Sequence, residues 1–372
     1  MIKFIENLLN VNDFEIENQT IFILRGEIMN RSVLIYEDLN NERILVEKAI
    51  IPSFKVINNI LWVYCKGKTL EFFKKNDFSI SNIYIDFFPK YKNEEIIIGD
   101  YKDGENRYLI ARKTIDDSTI WKIDFTSTIF LICLQIYLVE FTKDLQKLKI
   151  VCFNFSSGLP LWHYFIPSGV YDWVDGSGRT HQGEILKFIG VYDDILWIVL
   201  NSGRLLGLSK ENGSFIYDLC HPNLYPFTWS ETNKIEGVNI YNYYTQLDEK
   251  QGKLFGLSNI WYWEINLKSF QRSFEIIDIS ATLHENGIER ADAPVDYGWS
   301  FEGDEIYFGF TGRSLLKNNI GIFNRRSQKV TWSQKVGYEG EYHPILSKIE
   351  FESNRLYVLD GENTLHIFEK EN

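Results

Sequence analysis

The chain is short of the residues that usually announce chemistry. It has four cysteines, Cys65, Cys133, Cys152 and Cys220, in 372 residues, and no two of them are adjacent or form a CxxC pair. That spacing gives no zinc knuckle and no dithiol redox motif, and three of the four sit inside apolar strands, as buried reduced thiols do. Long apolar runs are missing as well. The longest, Ile129 to Leu138, is broken by Gln135 and is far too short to cross a bilayer. Glu6 interrupts the only apolar stretch of the first ten residues, and no small-residue cleavage site follows, so this segment does not read as a secretory signal. The expectation is a soluble, cytoplasmic protein with no membrane partner. Basic residues are outnumbered, 39 against 51 acidic, for a formal net charge of −12. Nucleic acid, which needs a clustered basic surface, is therefore not the expected partner, whereas a basic protein would be attracted. No segment sustains a 3.6-residue apolar period, so helix is not expected either.

What is abundant is apolar and aromatic material: 45% of the residues are hydrophobic and 16% aromatic, with 10 Trp, 21 Tyr and 27 Phe. Flat rings suit a pleated surface. Short apolar runs pair across tight polar turns along the chain: 14–16 with 21–24, 54–57 with 60–65, 85–88 with 95–98, and 128–133 with 136–141. The series continues as 186–191 with 195–200, 243–247 with 253–257, 299–301 with 305–310, and 348–351 with 355–359. After most pairs comes a third strand, then a fourth carrying a large apolar residue ten positions beyond a small or apolar one. The offset recurs at Ile35 to Leu45, Ala111 to Trp121, Cys152 to Trp162, Gly207 to Tyr217, Glu264 to Phe274 and Ile322 to Trp332. Four strands per unit, repeated along a chain, is the signature of propeller blades.

The clearest copies are Cys152-x-Asn154-x-x-Ser157-Gly158-x-x-x-Trp162 and Gly207-x-Ser209-x-x-Asn212-Gly213-x-x-x-Tyr217, followed by Ile322-x-Asn324-x-x-Ser327-x-Lys329-x-x-Trp332. They resemble, in degenerate form, the tryptophan-docking repeat of pyrroloquinoline-quinone-type propellers, in which the Trp of one blade packs on the motif of a neighbouring blade. The resemblance implies an all-β fold: a single β-propeller domain over residues 1–372, built of four-stranded antiparallel blades. Eight blades is the favoured count and seven the alternative. The last unit stops after its third strand, 364–370, and the N-terminal segment 2–5 is expected to supply the fourth and close the ring. Quinone enzymes of this type hold quinone and calcium with a vicinal cysteine pair, which this chain lacks, so no cofactor is expected.

Function is expected in the long connections of the C-terminal half: 168–185, 220–242, 279–298 and 336–344. Strand parity places them on one face of the ring. Tyr171, Trp173, Asp175 and Arg179 in the first, and Tyr225, Phe227 and Trp229 in the second, combine rigid aromatics with polar neighbours, the composition of protein-binding hot spots. An alternative is that these aromatics pack inward under their own loops. Asp292 and Asp296, with Glu289, Arg290 and Glu339, add a mostly acidic rim. His181, His221, His284 and His343 fall one in each long connection, and imidazoles converging with carboxylates would bind a metal such as zinc. The sequence thus points to a protein-binding propeller without catalysis, an inhibitor, immunity protein or adaptor. A metal-dependent hydrolase or lyase with its site at the channel mouth is the alternative.

Overall fold

The computed structural model describes residues 2–27, 30–36, 42–49, 53–57, 60–65, 68–73, 78–124, 129–132, 135–142, 147–167, 169–174, 178–219, 245–258, 261–268, 274–288, 293–294, 299–311, 318–336 and 346–371. The chain opens with β1 (Ile2–Leu8), set apart from the first blade, β2 (Val11–Glu17), β3 (Thr20–Glu27), β4 (Asn30–Tyr36) and β5 (Glu42–Ala49). Blade 2 is β6 (Ser53–Ile57), β7 (Ile60–Cys65), β8 (Lys68–Phe73) and β9 (Ile80–Ile85), and blade 3 is β10 (Phe87–Lys92), β11 (Ile96–Asp103), β12 (Asn106–Lys113) and β13 (Thr119–Asp124). Blade 4 follows as β14 (Ile129–Ile132), β15 (Gln135–Thr142), β16 (Lys147–Asn154) and β17 (Pro160–Phe165). A separate small hairpin, β18 (Trp173–Val174) and β19 (Thr180–His181), precedes blade 5: β20 (Ile185–Tyr192), β21 (Ile195–Leu200), β22 (Leu205–Ser209) and β23 (Phe215–Leu219).

Blade 6 is β24 (Gln246–Asp248), β25 (Lys253–Ser258), β26 (Trp261–Asn266) and β27 (Phe274–Asp278), after which comes a short helix, α1 (Ser280–Glu285). In blade 7, β28 (Ala293–Pro294) and β29 (Ser300–Glu302) both pair with β30 (Glu305–Thr311), which continues to β31 (Asn318–Asn324) and β32 (Lys329–Lys335). Blade 8 is β33 (Leu346–Glu352), β34 (Arg355–Asp360) and β35 (Leu365–Lys370), with β1 as its fourth strand. Eight antiparallel blades make this an eight-bladed β-propeller, and seven falls away. The chain divides into two compact units, residues 125–281 with blades 4–6, and residues 1–124 with 282–372, which hold the other five.

In the 125–281 unit the docking repeat is built as its spelling implies. Cys152 pairs with Trp162 across β16 and β17, and the register then slips so that Leu161 has no opposite number. This bulge turns the buried Trp162 toward blade 5, where its Nε1 donates to the Lys210 carbonyl at 2.9 Å. Gly213 is required beneath it: its φ is 71°, and a Cβ there would stand 2.4 Å from the indole ring. The Asn154 carboxamide oxygen accepts from the backbone N–H groups of Ser156 and Ser157, which fixes the turn before the docking strand.

Two of the six predicted ten-residue offsets are not strand pairs. Glu264 faces Glu275, because β26 and β27 run without a bulge, and Ile35 faces Arg43, because β4 and β5 carry two irregularities. The predicted pairing of 85–88 with 95–98 is also displaced. The Asn93 side chain accepts from Glu95 N and Ile96 N, which puts the turn at 93–95 and opposes Phe87 to Tyr101, while Ile85 ends the previous blade.

In the other unit, closure takes the predicted form. Ile2 lies opposite Lys370 and Leu8 opposite Leu365, with both Ile2 and Leu8 buried. Ile2 packs with blades 7 and 8, and Leu8 with blades 8 and 1. Deleting residues 1–10 exposes the β35 edge and removes both side chains from the core, a loss of about 4 kcal/mol for the two. Thermal unfolding followed by circular dichroism is expected to show a lower and broader transition. An unchanged melting curve would rule out β1 as the closing strand.

Candidate functional site

Of the residues singled out by sequence, those near the β18–β19 hairpin are described best. Trp173 lies opposite His181 and Val174 opposite Thr180, so the described part of the connection between blades 4 and 5 contains a two-stranded ribbon. Tyr171 is only 3% exposed and sits inside this connection, with the Arg204 guanidinium 5.4 Å above its ring. Gly183 lies so close behind that a Cβ there would stand 2.5 Å from Tyr171, and Gly183 N donates to Asp172. Tyr171 thus clamps the hairpin from within, while Val170, Val174 and Arg179 face solvent. Burial pushes the Tyr171 hydroxyl well above its ordinary pKa.

His181 is half-buried in β19, and His284 is exposed in the last turn of α1, in the other compact unit. Asp175, Tyr225, Phe227, Trp229, Asp292, Asp296, His221 and His343, and with them Glu289, Arg290 and Glu339, lie outside the described residues. Among the described residues no three His, Cys, Asp or Glu side chains converge as a metal would require.

The most elaborate polar site among the described residues was not singled out from the sequence. It lies between blades 2 and 3 and is centred on Glu71, an acidic residue in the apolar strand β8. In blades 3, 4, 5 and 7 the position just before the bulge holds a small or apolar residue paired with an aromatic: Ala111 with Trp121, Cys152 with Trp162, Gly207 with Tyr217, Ile322 with Trp332. Blade 2 has the same bulge, but the pair is Glu71 with Asn82, and the unmatched residue is Ser81. Ser81 and Asn82 therefore both reach Glu71.

The Glu71 carboxylate, almost fully buried, accepts from Trp62 Nε1 (3.1 Å), Ser81 Oγ (2.9 Å), Asn82 Nδ2 (3.0 Å) and Tyr84 OH (2.9 Å). Lys92, from the first strand of blade 3, completes the set at 2.7 Å and 2.9 Å. Burial alone would raise the Glu71 pKa, but the hydrogen bonds from Lys92, Trp62 and Asn82 and the Lys92 charge outweigh it and hold the carboxyl below its ordinary value. Beside this network is a cavity of about 510 Å³ lined by Ile60, Glu71, Ser81, Asn82, Lys92, Asn93 and Glu94. A clue was present in the sequence: the docking position of blade 2 carries Asn82 where an aromatic is expected.

Because its folded pKa is depressed, Glu71 contributes stability that is present near neutral pH and lost as pH falls below the ordinary glutamate range, about 4.3. Lys92→Met leaves a buried carboxylate without its counter-charge, at a cost of about 3–5 kcal/mol. The double variant Glu71→Leu with Lys92→Met is expected to be more stable than Lys92→Met alone. Urea unfolding at neutral pH checks the order, and additive losses would show that the two groups do not act as a pair.

A second polar cluster lies on the first strands of blades 8 and 1. Lys348 Nζ is 3.1 Å from Glu350 and 3.4 Å from Asp13, and it donates to the Phe14 carbonyl. Glu15 accepts from Val56 N at 2.7 Å. Burial pulls the Lys348 ammonium down, but Glu350, Asp13 and Glu15 overcome it and hold its pKa above the ordinary value. For Glu350, burial with Asp13 and Glu352 outweighs the attraction of Lys348, and its pKa is raised. A carboxyl with a raised folded pKa favours the native state while protonated and loses that contribution as it ionises. Glu350→Gln is therefore expected to raise the melting temperature at pH 7 and to leave it unchanged below pH of about 4. The same gain at both pH values would contradict the assignment.

No sequence-family model matches the chain, and no curated protein matches it by sequence. In structure it is similar to Sqt1 of Saccharomyces cerevisiae, with a TM-score of 0.58, 12% identity, and coverage of 100% of this chain and 99% of that one. It is also similar to BamB of Moraxella catarrhalis (TM-score 0.47, 11% identity, 85% and 96% covered) and to a europium-containing methanol dehydrogenase (0.49, 9%, 99% and 93%). At 12% identity the first likeness speaks for the propeller fold alone.

Proposed function

We propose that the chain is a non-enzymatic, protein-binding propeller that meets its partner through the connections between blades in its C-terminal half. The observation that carries this reading is the β18–β19 hairpin, a ribbon that belongs to no blade. A connection needed only to link two sheets would not require an internal Tyr171 clamp, a Gly183 pressed against it and a paired backbone. These features hold Val170, Val174 and Arg179 in a fixed surface, so binding would not bear the entropy of ordering a loose loop. Tyr225, Phe227 and Trp229, and in the other compact unit Asp292 and Asp296, lie outside the described residues and are kept as further proposed contacts from the sequence alone. With a net charge of −12, the partner that suits it is a basic protein. A stoichiometric inhibitor, of which an immunity protein is one kind, or an adaptor would use such a surface without chemistry.

The test is affinity capture from the native host, with bound proteins quantified by mass spectrometry and the main partner then titrated calorimetrically. Val170→Asp and Val174→Asp, both at exposed positions, are expected to weaken binding by about tenfold or more with little change in thermal stability. Should both variants, together with Trp229→Ala, retain every partner at full affinity, the hairpin surface is not the binding site.

A further inference from the structure

The outer strand of a blade presents unpaired backbone groups, and natural sheets guard such edges with charged residues or proline. Seven outer strands here follow that rule: β1 has Lys3 and Glu6, β5 has Glu42, β13 has Lys122, β17 has Pro160, β23 has Asp218, β27 has Glu275 and β32 has Lys329. β9, Ile-Ser-Asn-Ile-Tyr-Ile, has neither. Its Ile80, Ile83 and Ile85 are 52%, 57% and 64% exposed. The bulge at Ser81 turns Ser81 and Asn82 toward Glu71, and Asn82–Ile85 stay in regular register with β8.

The cavity beside Glu71 borders the same strand, through Ser81 and Asn82. It lies where an outer-strand aromatic docks elsewhere. Between blades 4 and 5, Trp162 bonds to the Lys210 carbonyl, and Lys210 N is held by the first-hairpin turn at Asp194. The corresponding backbone bond in blade 3 is Thr114 N to Glu95 O, and the neighbouring turn residues Asn93 and Glu94 line the cavity. With Asn82 in the aromatic's place, the slot is partly vacant. Its charges sum to a negative value: Glu71 is neutralised by Lys92, and Glu94 at the mouth adds an acidic group on an exposed turn.

We infer that β9 and the adjoining slot form a docking site for an extended segment of a partner protein, which adds to the β9 edge as a fifth antiparallel strand and seats one Arg or Lys side chain in the slot beside Glu94. The backbone pairing supplies affinity, the exposed isoleucines select apolar residues at alternate positions, and the acidic slot selects the basic one. A cationic stem lies well in such a slot, because its methylenes pack on Ile60 while its charged end reaches the Glu94 carboxylate and the Asn82 carboxamide oxygen. The inference rests on the protein-binding reading but names a different surface in a different compact unit, so the two fail separately.

The test uses random displayed peptides of about a dozen residues, panned on the full chain and then measured singly by fluorescence polarisation. Selected peptides are expected to alternate apolar residues around one Arg or Lys. Ile83→Lys and Glu94→Lys, both at exposed positions, are each expected to weaken them by about tenfold, while Ile83→Val and the hairpin variant Val174→Asp leave them unchanged. N-methylation of alternate peptide nitrogens is expected to abolish binding in one register and spare it in the other, the mark of strand addition. The proposal is overturned if no peptide is selected, if the selected peptides bind Ile83→Lys or Glu94→Lys as well as the wild type, or if methylation is equal in both registers. It is also overturned if the chain forms a concentration-dependent dimer that Ile83→Lys dissolves, which would give the edge to a second copy. Retained peptide binding with loss of every effect at the hairpin would sink the hairpin reading alone.

Discussion

Everything in this fold depends on the need to bury both faces of every blade. The middle strands are apolar on successive residues: Leu61-Trp62-Val63 in β7, Leu196 through Leu200 in β21 and Leu356 through Leu359 in β34 are all buried. A sheet with two such faces cannot stand in water, so its faces must be covered by other apolar surface. The core accordingly falls into clusters that each join two consecutive blades. Val33, Phe54 and Phe72 join blades 1 and 2; Tyr137, Trp162 and Leu206 join blades 4 and 5; Trp197, Leu254 and Trp263 join blades 5 and 6.

That requirement accounts for β1. Without it, blade 8 would present β35 to solvent with Leu365 and Phe368, both buried in the structure, on an uncovered edge. Pairing Ile2 with Lys370 joins residues 368 positions apart, which is costly in chain entropy but logarithmic in length, so a long span costs little more than a moderate one. The contacts that reward it are local to the closed state: Ile2 packs with Tyr307 and Ile349, and Leu8 with Tyr36 and Leu359.

The same requirement decides how much could be read from the sequence. Strand pairs with a turn of two or three polar residues, such as 186–191 with 195–200, were legible because the turn residues mark the register, and Asp193 and Asp194 adopt the positive φ that the tight turn needs. The docking copies were legible for a different reason. Asn154, Gly158, Gly213 and Trp162 each serve one geometric need, so their spacing is stiff. Blades 1 and 6 lack that stiffness, and a fixed ten-residue offset misplaced their fourth strands. Tyr171 shows another limit: composition marks an aromatic in a polar loop, but not whether it faces out or, as here, clamps the loop from beneath. Glu71 was missed because a search for recurring aromatics does not register the blade that lacks one.

Glu71 bears on function because its network is a poor way to hold two blades together. A buried ion pair must offset the desolvation of both charges, and apolar side chains of equal volume usually stabilise a core as well or better. The chain itself supplies the comparison: Trp162 joins blades 4 and 5 with one hydrogen bond and a closely packed ring, whereas Glu71 engages Trp62, Ser81, Asn82, Tyr84 and Lys92 and still leaves space beside it. Such a carboxylate does fix direction, because each donor must lie in one place for the set to be satisfied. It binds Ser81 and Asn82 on its own side of the strand, while Ile83 and Ile85 stand exposed on a strand that carries no charge of its own. Network, vacant slot and unguarded edge are thus consequences of one departure from the repeat, the exchange of a docking aromatic for Asn82 opposite Glu71.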